Sequence, residues 1–515
     1  MKEQWRALIA EDRPLKERAG LLLASCGLLA FTLLVFAPIS IYLNNANEFW
    51  FRLSQFWWVT VLLGVAVFGS TFALGLVLRG KLFNLYVTLL FALAVVLYLQ
   101  GNFLNISYGE LNGEQVNWSR YGGYSLLNTA LTGALFFIPF AILYFSKAFW
   151  RGMVRFVSFL LVAVQIVALA AGLITSNKPQ TSEMALGWEG VSDYSPEQNL
   201  VLIIVDAFDE PYFAEYLAAH PETPQLLEGF TYYRNTADIS MTTFYSMVPM
   251  LTGHMYSYDP LDYDAFLKMA WDDATLFQKL QAAGYDVRAL SPQEIYIGAV
   301  RDELFDNYIL GNRGIIDYKK FTRMLMDLVM YTYMPHVFKA GFWLYPGEFN
   351  YLQDKVFYTD DDTEAYRHIT QSPVRPVSEK KTFRLYHLNA LHEPFTLTAQ
   401  ATRREDGGET SAMEQAEGTF LILNTLLAQM REAGVYDNST IIIAADHCNS
   451  AHVDSDSLES ALYSPVLLVK PRDATGSMAV TGAPASLMDI RATFLDQAGL
   501  PYDQEGLSLL SLSPG

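Results

Sequence analysis

The chain has 515 residues, 51% of them hydrophobic, a positive mean hydropathy and a formal net charge of −19. So acidic a chain argues against a polyanion such as nucleic acid as partner. Its two cysteines, Cys26 in an apolar run and Cys448 beside a candidate metal ligand, give no disulfide framework to read.

The apolar excess and the charge divide at the same place. Residues 1–180 hold 13 Lys+Arg against 7 Asp+Glu, and the remainder 22 against 47. About 20 apolar residues are needed to cross a bilayer as a helix. Five stretches reach that length, at roughly 19–43, 56–78, 83–100, 125–146 and 153–174. The first starts late and lacks a small-residue cleavage site, so it reads as a span and not a signal peptide. Lys2, Arg6, Arg13, Lys16, Arg18, Arg79, Lys81, Lys147, Arg151 and Arg155 fall on one side of this arrangement, and only Arg52 and Arg120 on the other. The positive-inside bias makes the first side cytoplasmic, so an odd number of spans leaves the rest of the chain outside the cytoplasmic membrane. The expected organisation is a five-helix membrane domain over 1–174, a polar linker over 175–195 and an extracytoplasmic domain over 196–515. Between the third and fourth spans, the loop 101–121 carries Asn102, Tyr108, Trp118 and Tyr121. It reads first as an interfacial aromatic belt and second as a lipid-headgroup pocket.

In the second part, the aliphatic run Asn199–Val205 ends at Asp206, and a similar run over 439–445 ends at Asp446-His447. A third covers 464–470. Each has the length and character of a buried strand, expected to be parallel. Helical patterns lie between them, over 274–283 before Gly284 and 412–433 before Gly434, with glycine where a helix C-terminus wants it. Alternating strands and helices imply an α/β sandwich with helices on both faces. In such sheets active sites lie beyond the carboxyl ends of strands, where Asp206, Asp446 and His447 fall. A charged pair ending an aliphatic strand is costly without a partner, which favours a metal-ligand reading of Asp446-His447 over a structural one.

The order of further segments carries a resemblance. After Asp206 come Thr-Pro-Gln-Leu at 223–226, Gly-Phe-Thr-Tyr-Tyr at 229–233 and Thr-Phe-Tyr-Ser-Met-Val-Pro-Met-Leu-Thr-Gly at 243–253. Leu-Gln-Ala-Ala-Gly-Tyr at 280–285, His-Glu-Pro-Phe at 392–395 and the segment 485–501 complete the series. This order resembles the alkaline phosphatase superfamily in its sulfatase-like branch. The resemblance implies a nucleophile ten residues before the glycine of the Leu-Thr-Gly turn, which is Thr243. Sulfatases need a cysteine or serine there, to be oxidised to formylglycine. A threonine behind five spans looks instead like the lipoteichoic-acid synthase and lipid A phosphoethanolamine transferase families. The His392 segment resembles the phosphoglycerol-transferring branch more closely. Two positions depart from the pattern: Asp206 stands where the transferases carry Glu, and Cys448 replaces the glycine that follows Asp-His in sulfatases.

The implied function is a metal-dependent transferase. It would take a phosphoglycerol or related headgroup from a membrane phospholipid, hold it on Thr243, and pass it to a cell-envelope glycan or lipid. Asp206, Thr243, Asp446 and His447 would bind one divalent ion. Zn²⁺ or Mn²⁺ suits that donor set best, with Mg²⁺ or Ca²⁺ as alternatives. His392 would contact the phosphoryl group or headgroup, and His452 would protonate a leaving group or hold an oxygen. Thr242 is the rival nucleophile, separated from Thr243 only by spacing. Ser246 reads equally as a phosphate contact or a helix-cap residue, Asp209 as a helix cap before a ligand, and His254 as structural. Alternatives of other kinds are a phosphodiester or phosphomonoester hydrolase on the same site and an inactive membrane scaffold. The apolar segment 321–352, with Phe321, Met324, Leu325, Leu328 and Trp343, reads as buried core before an amphipathic helix lying on the bilayer.

Overall fold

The computed structural model describes residues 13–46, 49–109, 111, 116–175, 184–256, 263–272, 275–291, 304–310, 314–353, 358, 361–404, 408–448, 464–502 and 506–512. His452 lies outside them. The chain divides into two compact units: Met1–Gln180 with Gly314–Leu352, and Thr181–Arg313 with Gln353–Gly515. Segment 314–352, grouped with the globular part by its place in the sequence, therefore clusters with the apolar helices.

Among the described residues, the first unit contains five helices long and apolar enough to cross a membrane: α1 (Leu15–Asn44), α2 (Leu53–Val77), α3 (Gly80–Phe103), α4 (Gly122–Phe145) and α5 (Lys147–Thr175). Helix α1 is central and packs on α2, α3 and α5. Over Thr32–Phe36 it widens into a π turn just before Pro38. Proline lacks the N–H and crowds the preceding turn, so a widened turn lets the helix continue through it. Inside the bundle, the buried Thr32 hydroxyl accepts from the Gln165 amide at 3.0 Å.

The helix Tyr318–Tyr333, called here the return helix, brings the chain back to this bundle. Its residues Phe321, Met324, Leu325, Leu328 and Val329 form a stripe at helical spacing that is buried with Phe36, Ala37 and Ile41 of α1 and with Phe51, Phe56 and Phe349. Buried packing, and not a free bilayer-facing surface, accounts for that stripe. Trp50 Nε1 donates to the Phe349 carbonyl at 2.9 Å and ties the end of the segment to the turn before α2.

The second unit is built on a seven-stranded sheet. Its strands are β1 (Asn199–Val205), β2 (Thr231–Ala237), β3 (Asp286–Leu290), β4 (Thr382–Leu388), β5 (Ser439–Ala444), β6 (Leu467–Lys470) and β7 (Ala479–Ser486). They lie in the order β3-β4-β1-β5-β6-β2-β7. Strands β3, β4, β1 and β5 are mutually parallel, and β2 and β7 are parallel to each other. Strand β6 runs antiparallel to both of its neighbours, which corrects the parallel expectation for the third aliphatic run. All four residues of β6 are buried, so its composition matches that of a parallel central strand and carries no sign of direction. The helices fall into two packed groups, α6 (Glu210–Ala219) with α9 (Ala412–Glu432), and α7 (Thr243–Thr252) with α8 (Leu276–Ala282) and α10 (Asp489–Gln497). The result is the α/β sandwich expected behind five apolar helices.

Candidate active site

Three neighbouring parallel strands, β4, β1 and β5, end at the same edge of the sheet and set the site. Asp206 follows β1 directly, and Asp446-His447 follows β5 after one further residue. On β4, His387 is paired in register with Ile204, so its side chain shares the face used by Asp206 two residues on. The backbone at this edge is held tightly. Asp206 N donates to Leu388 O at 3.1 Å, and Leu391 N donates to Asp206 O at 2.9 Å. The next residue, Ala207, has φ +55°, a left-handed conformation costly for a residue with a Cβ. That turn aims the Ala207 N–H at Asp446 Oδ1, 3.2 Å away.

Thr243 is the first residue of α7, and the helix ends at Gly253, whose φ of +87° suits glycine. The Leu-Thr-Gly signature is thus the C-terminal cap of the helix whose first residue faces the site. Thr243 is buried; its Oγ1 donates to Asp206 Oδ2 at 3.4 Å and lies 3.3 Å from His447 Nε2. Thr242 is exposed in extended backbone outside the helix, and so does not share this placement.

His447 Nε2 also stands 3.4 Å from Asp206 Oδ1 and 3.6 Å from Asp446 Oδ2. Its other nitrogen, Nδ1, meets the Cys448 carbonyl at 2.7 Å. A carbonyl there fixes the proton on Nδ1 and turns the Nε2 lone pair inward, the arrangement common behind metal-bound imidazoles. Asp446 Oδ1 accepts from the backbone of Ala207 and His447, whereas Asp446 Oδ2 and Asp206 Oδ1 are buried without a hydrogen-bond partner among the described residues. Orphaned carboxylate oxygens pointing at one spot call for a cation. His387 adds a further donor: its Nε2 lies 3.3 Å from Asp206 Oδ2, and donor atoms of Asp206, His387 and Asp446 lie within 4.8 Å of one another. Two overlapping sets therefore share the carboxylates, one completed by His447 and one by His387. Buried oxygen and imidazole donors of this kind fit a single divalent cation.

Electrostatics agree with the geometry. Burial alone would raise the Asp206 carboxyl, but His392, His387 and His447 outweigh it and hold the group well below the usual range. Burial would likewise lower His447, yet Asp446, Asp206 and the Cys448 carbonyl push it up to about 9. The Cys448 thiol is pushed far up by burial and by Asp238, so it stays protonated and makes a poor nucleophile. Asp238 Oδ2 accepts from Cys448 N at 3.1 Å and anchors the segment after the ligands.

The remaining candidates are placed differently. His392 is half-buried, with Nδ1 2.6 Å from the Glu393 carbonyl, near enough for its charge to act on Asp206. Ser246 Oγ donates to the Ser240 carbonyl at 3.0 Å and braces the approach to α7. Asp209 occupies the residue before α6 but makes no side-chain cap bond, contrary to the capping expectation. His254 follows α7, its N–H donating to Thr252 Oγ1 at 3.2 Å. His387 has no counterpart in the sequence reading; its signal was a histidine one residue from the end of a wholly buried strand.

Sheet, site edge and helix-borne hydroxyl together define an α/β domain with a candidate metal centre at its strand ends. Within it, the model of the Sulfatase family matches residues 198–500, and the chain belongs to that family. Among solved structures, an alkaline phosphatase superfamily protein from Vibrio parahaemolyticus is 15% identical over 65% of this chain and 74% of its own, with a TM-score of 0.40. A lipoteichoic acid synthase from Listeria monocytogenes is 13% identical over 61% and 76%, with a TM-score of 0.39. A phosphonate monoester hydrolase from Silicibacter pomeroyi is 14% identical over 61% and 76%, at 0.36. No curated protein matches the chain.

Proposed function

We propose that the chain is a multi-pass enzyme of the cytoplasmic membrane that transfers a phospholipid headgroup, phosphoglycerol or a close relative, through Thr243 to an envelope glycan or lipid. The N-terminus is cytoplasmic and the catalytic domain extracytoplasmic, on the strength of the Lys/Arg bias between the apolar helices. One observation carries the chemistry: Thr243 Oγ1 stands within 3.4 Å of both Asp206 and His447 at the first turn of a ten-residue helix.

In this reading Asp206, Asp446 and His447, joined by His387, would hold one divalent ion, with Thr243 as a further donor. A bound divalent ion supplies Lewis-acid polarisation, lowering the cost of forming an alkoxide and of building charge on phosphoryl oxygens. Asp206, held anionic, accepts the Thr243 hydroxyl hydrogen bond and orients the oxygen toward phosphorus. The positive dipole end of α7 favours the arriving phosphate anion. Thr243 Oγ then forms a bond to phosphorus while the bond from phosphorus to the diacylglycerol oxygen breaks, and that oxygen leaves as a hydroxyl after taking up a proton. An acceptor hydroxyl next attacks phosphorus, loses its proton, and returns the Thr243 oxygen to its hydroxyl form. His392 would hold the phosphoryl group or headgroup during both steps.

Incubating the purified full chain with labelled phosphatidylglycerol and phosphatidylethanolamine, with and without chelator, tests this. Metal-dependent diacylglycerol release that disappears in Thr243→Ala is the expected result. Release that survives Thr243→Ala removes the proposed nucleophile, and release without an added acceptor at full rate favours water as the acceptor.

A further inference from the structure

The first unit contains a second polar cluster remote in sequence from the candidate active site. Just after the return helix, Lys339 is fully buried (0% exposed) and His336 nearly so (5%). Lys339 Nζ donates to the Thr332 carbonyl at 2.9 Å and to that of Tyr331, and among the described residues no carboxylate lies within ion-pair distance of it. An ammonium has three donors, so these carbonyls leave one unused and the charge unneutralised. Among the described residues, neither ring nitrogen of His336 has a hydrogen-bond partner. Buried polar groups are nearly always satisfied, and two such groups side by side call for an explanation.

Their surroundings supply it. Four aromatic rings, of Tyr108, Trp118, Tyr121 and Tyr124, lie with centroids 5.3 to 6.2 Å from the His336 ring. Lys339 Nζ lies 5.8 Å from the Tyr108 ring centroid, so that one ring borders both buried groups. All four aromatics are half-buried and form a rim over the histidine and lysine. The cluster is also pre-positioned. His336 N donates to Asn128 Oδ1 at 2.9 Å, and Asn128 Nδ2 reaches Gln100 Oε1 at 2.7 Å, so α4 and α3 fix it through their own polar side chains. Burial pushes Lys339 down to about 7, so an anion beside it is what restores a full charge. The sequence of loop 101–121, with its aromatic and polar side chains, fits an interfacial belt; its rings here enclose a cationic centre.

We propose that Lys339 and His336, beneath the rim of Tyr108, Trp118, Tyr121 and Tyr124, bind the phosphate of a membrane lipid headgroup. Lys339 gives its unused N–H and its charge to a phosphate oxygen, and the neutral His336 imidazole gives one N–H. The rings cover the glycerol and headgroup carbons. Placement at the ends of apolar helices makes a lipid the source of the phosphate, and on this point the inference rests on the transferase reading and deepens it.

The test uses the full chain carrying Thr243→Ala in nonionic detergent, so that binding is read without turnover. The thermal unfolding midpoint is followed against dihexanoyl-phosphatidylglycerol, with inorganic phosphate and dihexanoylglycerol as separate arms. A saturable rise with the phospholipid alone is expected, with apparent affinity at least tenfold weaker in Lys339→Met and His336→Phe. Removing an unneutralised buried charge should leave the ligand-free midpoint of Lys339→Met equal or higher. If either variant fails to fold, Lys339→Gln decides, by keeping a donor for the Thr332 carbonyl and the ligand-free midpoint while losing the charge and the phospholipid response. An unchanged response in the variants, or an equal rise with dihexanoylglycerol, overturns the site; an equal rise with inorganic phosphate overturns the lipid assignment. Because Thr243 is already absent, failure here leaves the headgroup-transfer reading to its own test.

Discussion

Asp206 touches Thr243, His387 and His447 at once. Its short side chain keeps both oxygens near the end of β1, and His387 reaches it from the next strand. His387→Ala should therefore weaken Mn²⁺ or Zn²⁺ binding by about 10- to 100-fold, read by calorimetric titration; unchanged affinity would assign His387 to structure alone. His447 gives a pH prediction with a definite sign. Its folded value of about 9 lies above the unfolded reference near 6.5. In the metal-free protein its stabilising contribution is complete below about pH 6.5 and is lost as pH rises through about 9. The unfolding midpoint of metal-free protein should fall across that window, and the fall should shrink in His447→Gln.

At the scale of elements, what was legible in the sequence depended on how plainly each strand announced itself. β1 and β5 are uninterrupted aliphatic runs, so the acidic residues after them stood out as strand-end groups. β4 is as fully buried but reads Thr-Phe-Arg-Leu-Tyr-His-Leu, and its polar residues hid both the strand and His387. Arg384 can sit there because it pairs with Asp286 at 2.8 Å and faces the Tyr194 ring at 5.8 Å, partners far away in the sequence. Position in the chain likewise misled for the return helix, whose apolar stripe was visible but whose partner surface on the bundle was not. That docking relies on a close approach: a Cβ at Gly101 would lie 2.4 Å from the Tyr333 ring. Gly101→Ala should cost about 1–3 kcal/mol of unfolding free energy in detergent. The cost should shrink in a Tyr333→Leu background, since the two positions share one contact. An equal cost in both backgrounds would show that the contact does not limit the packing.

At the scale of the whole molecule, the chain joins two units with different solvents in view. One is a bundle whose outward surfaces are apolar, and the other is an acidic α/β domain with a buried cation-seeking edge. The proposal that links them is that a lipid-borne phosphate is attacked by a threonine made reactive in that edge. Mass spectrometry of the peptide containing Thr243, after the purified chain is mixed with phosphatidylglycerol, examines that link directly. A phosphoglycerol adduct on Thr243 that forms with divalent metal and is absent after chelation is the expected result. An adduct on Thr242 or elsewhere, or one that forms equally well without metal, would contradict it.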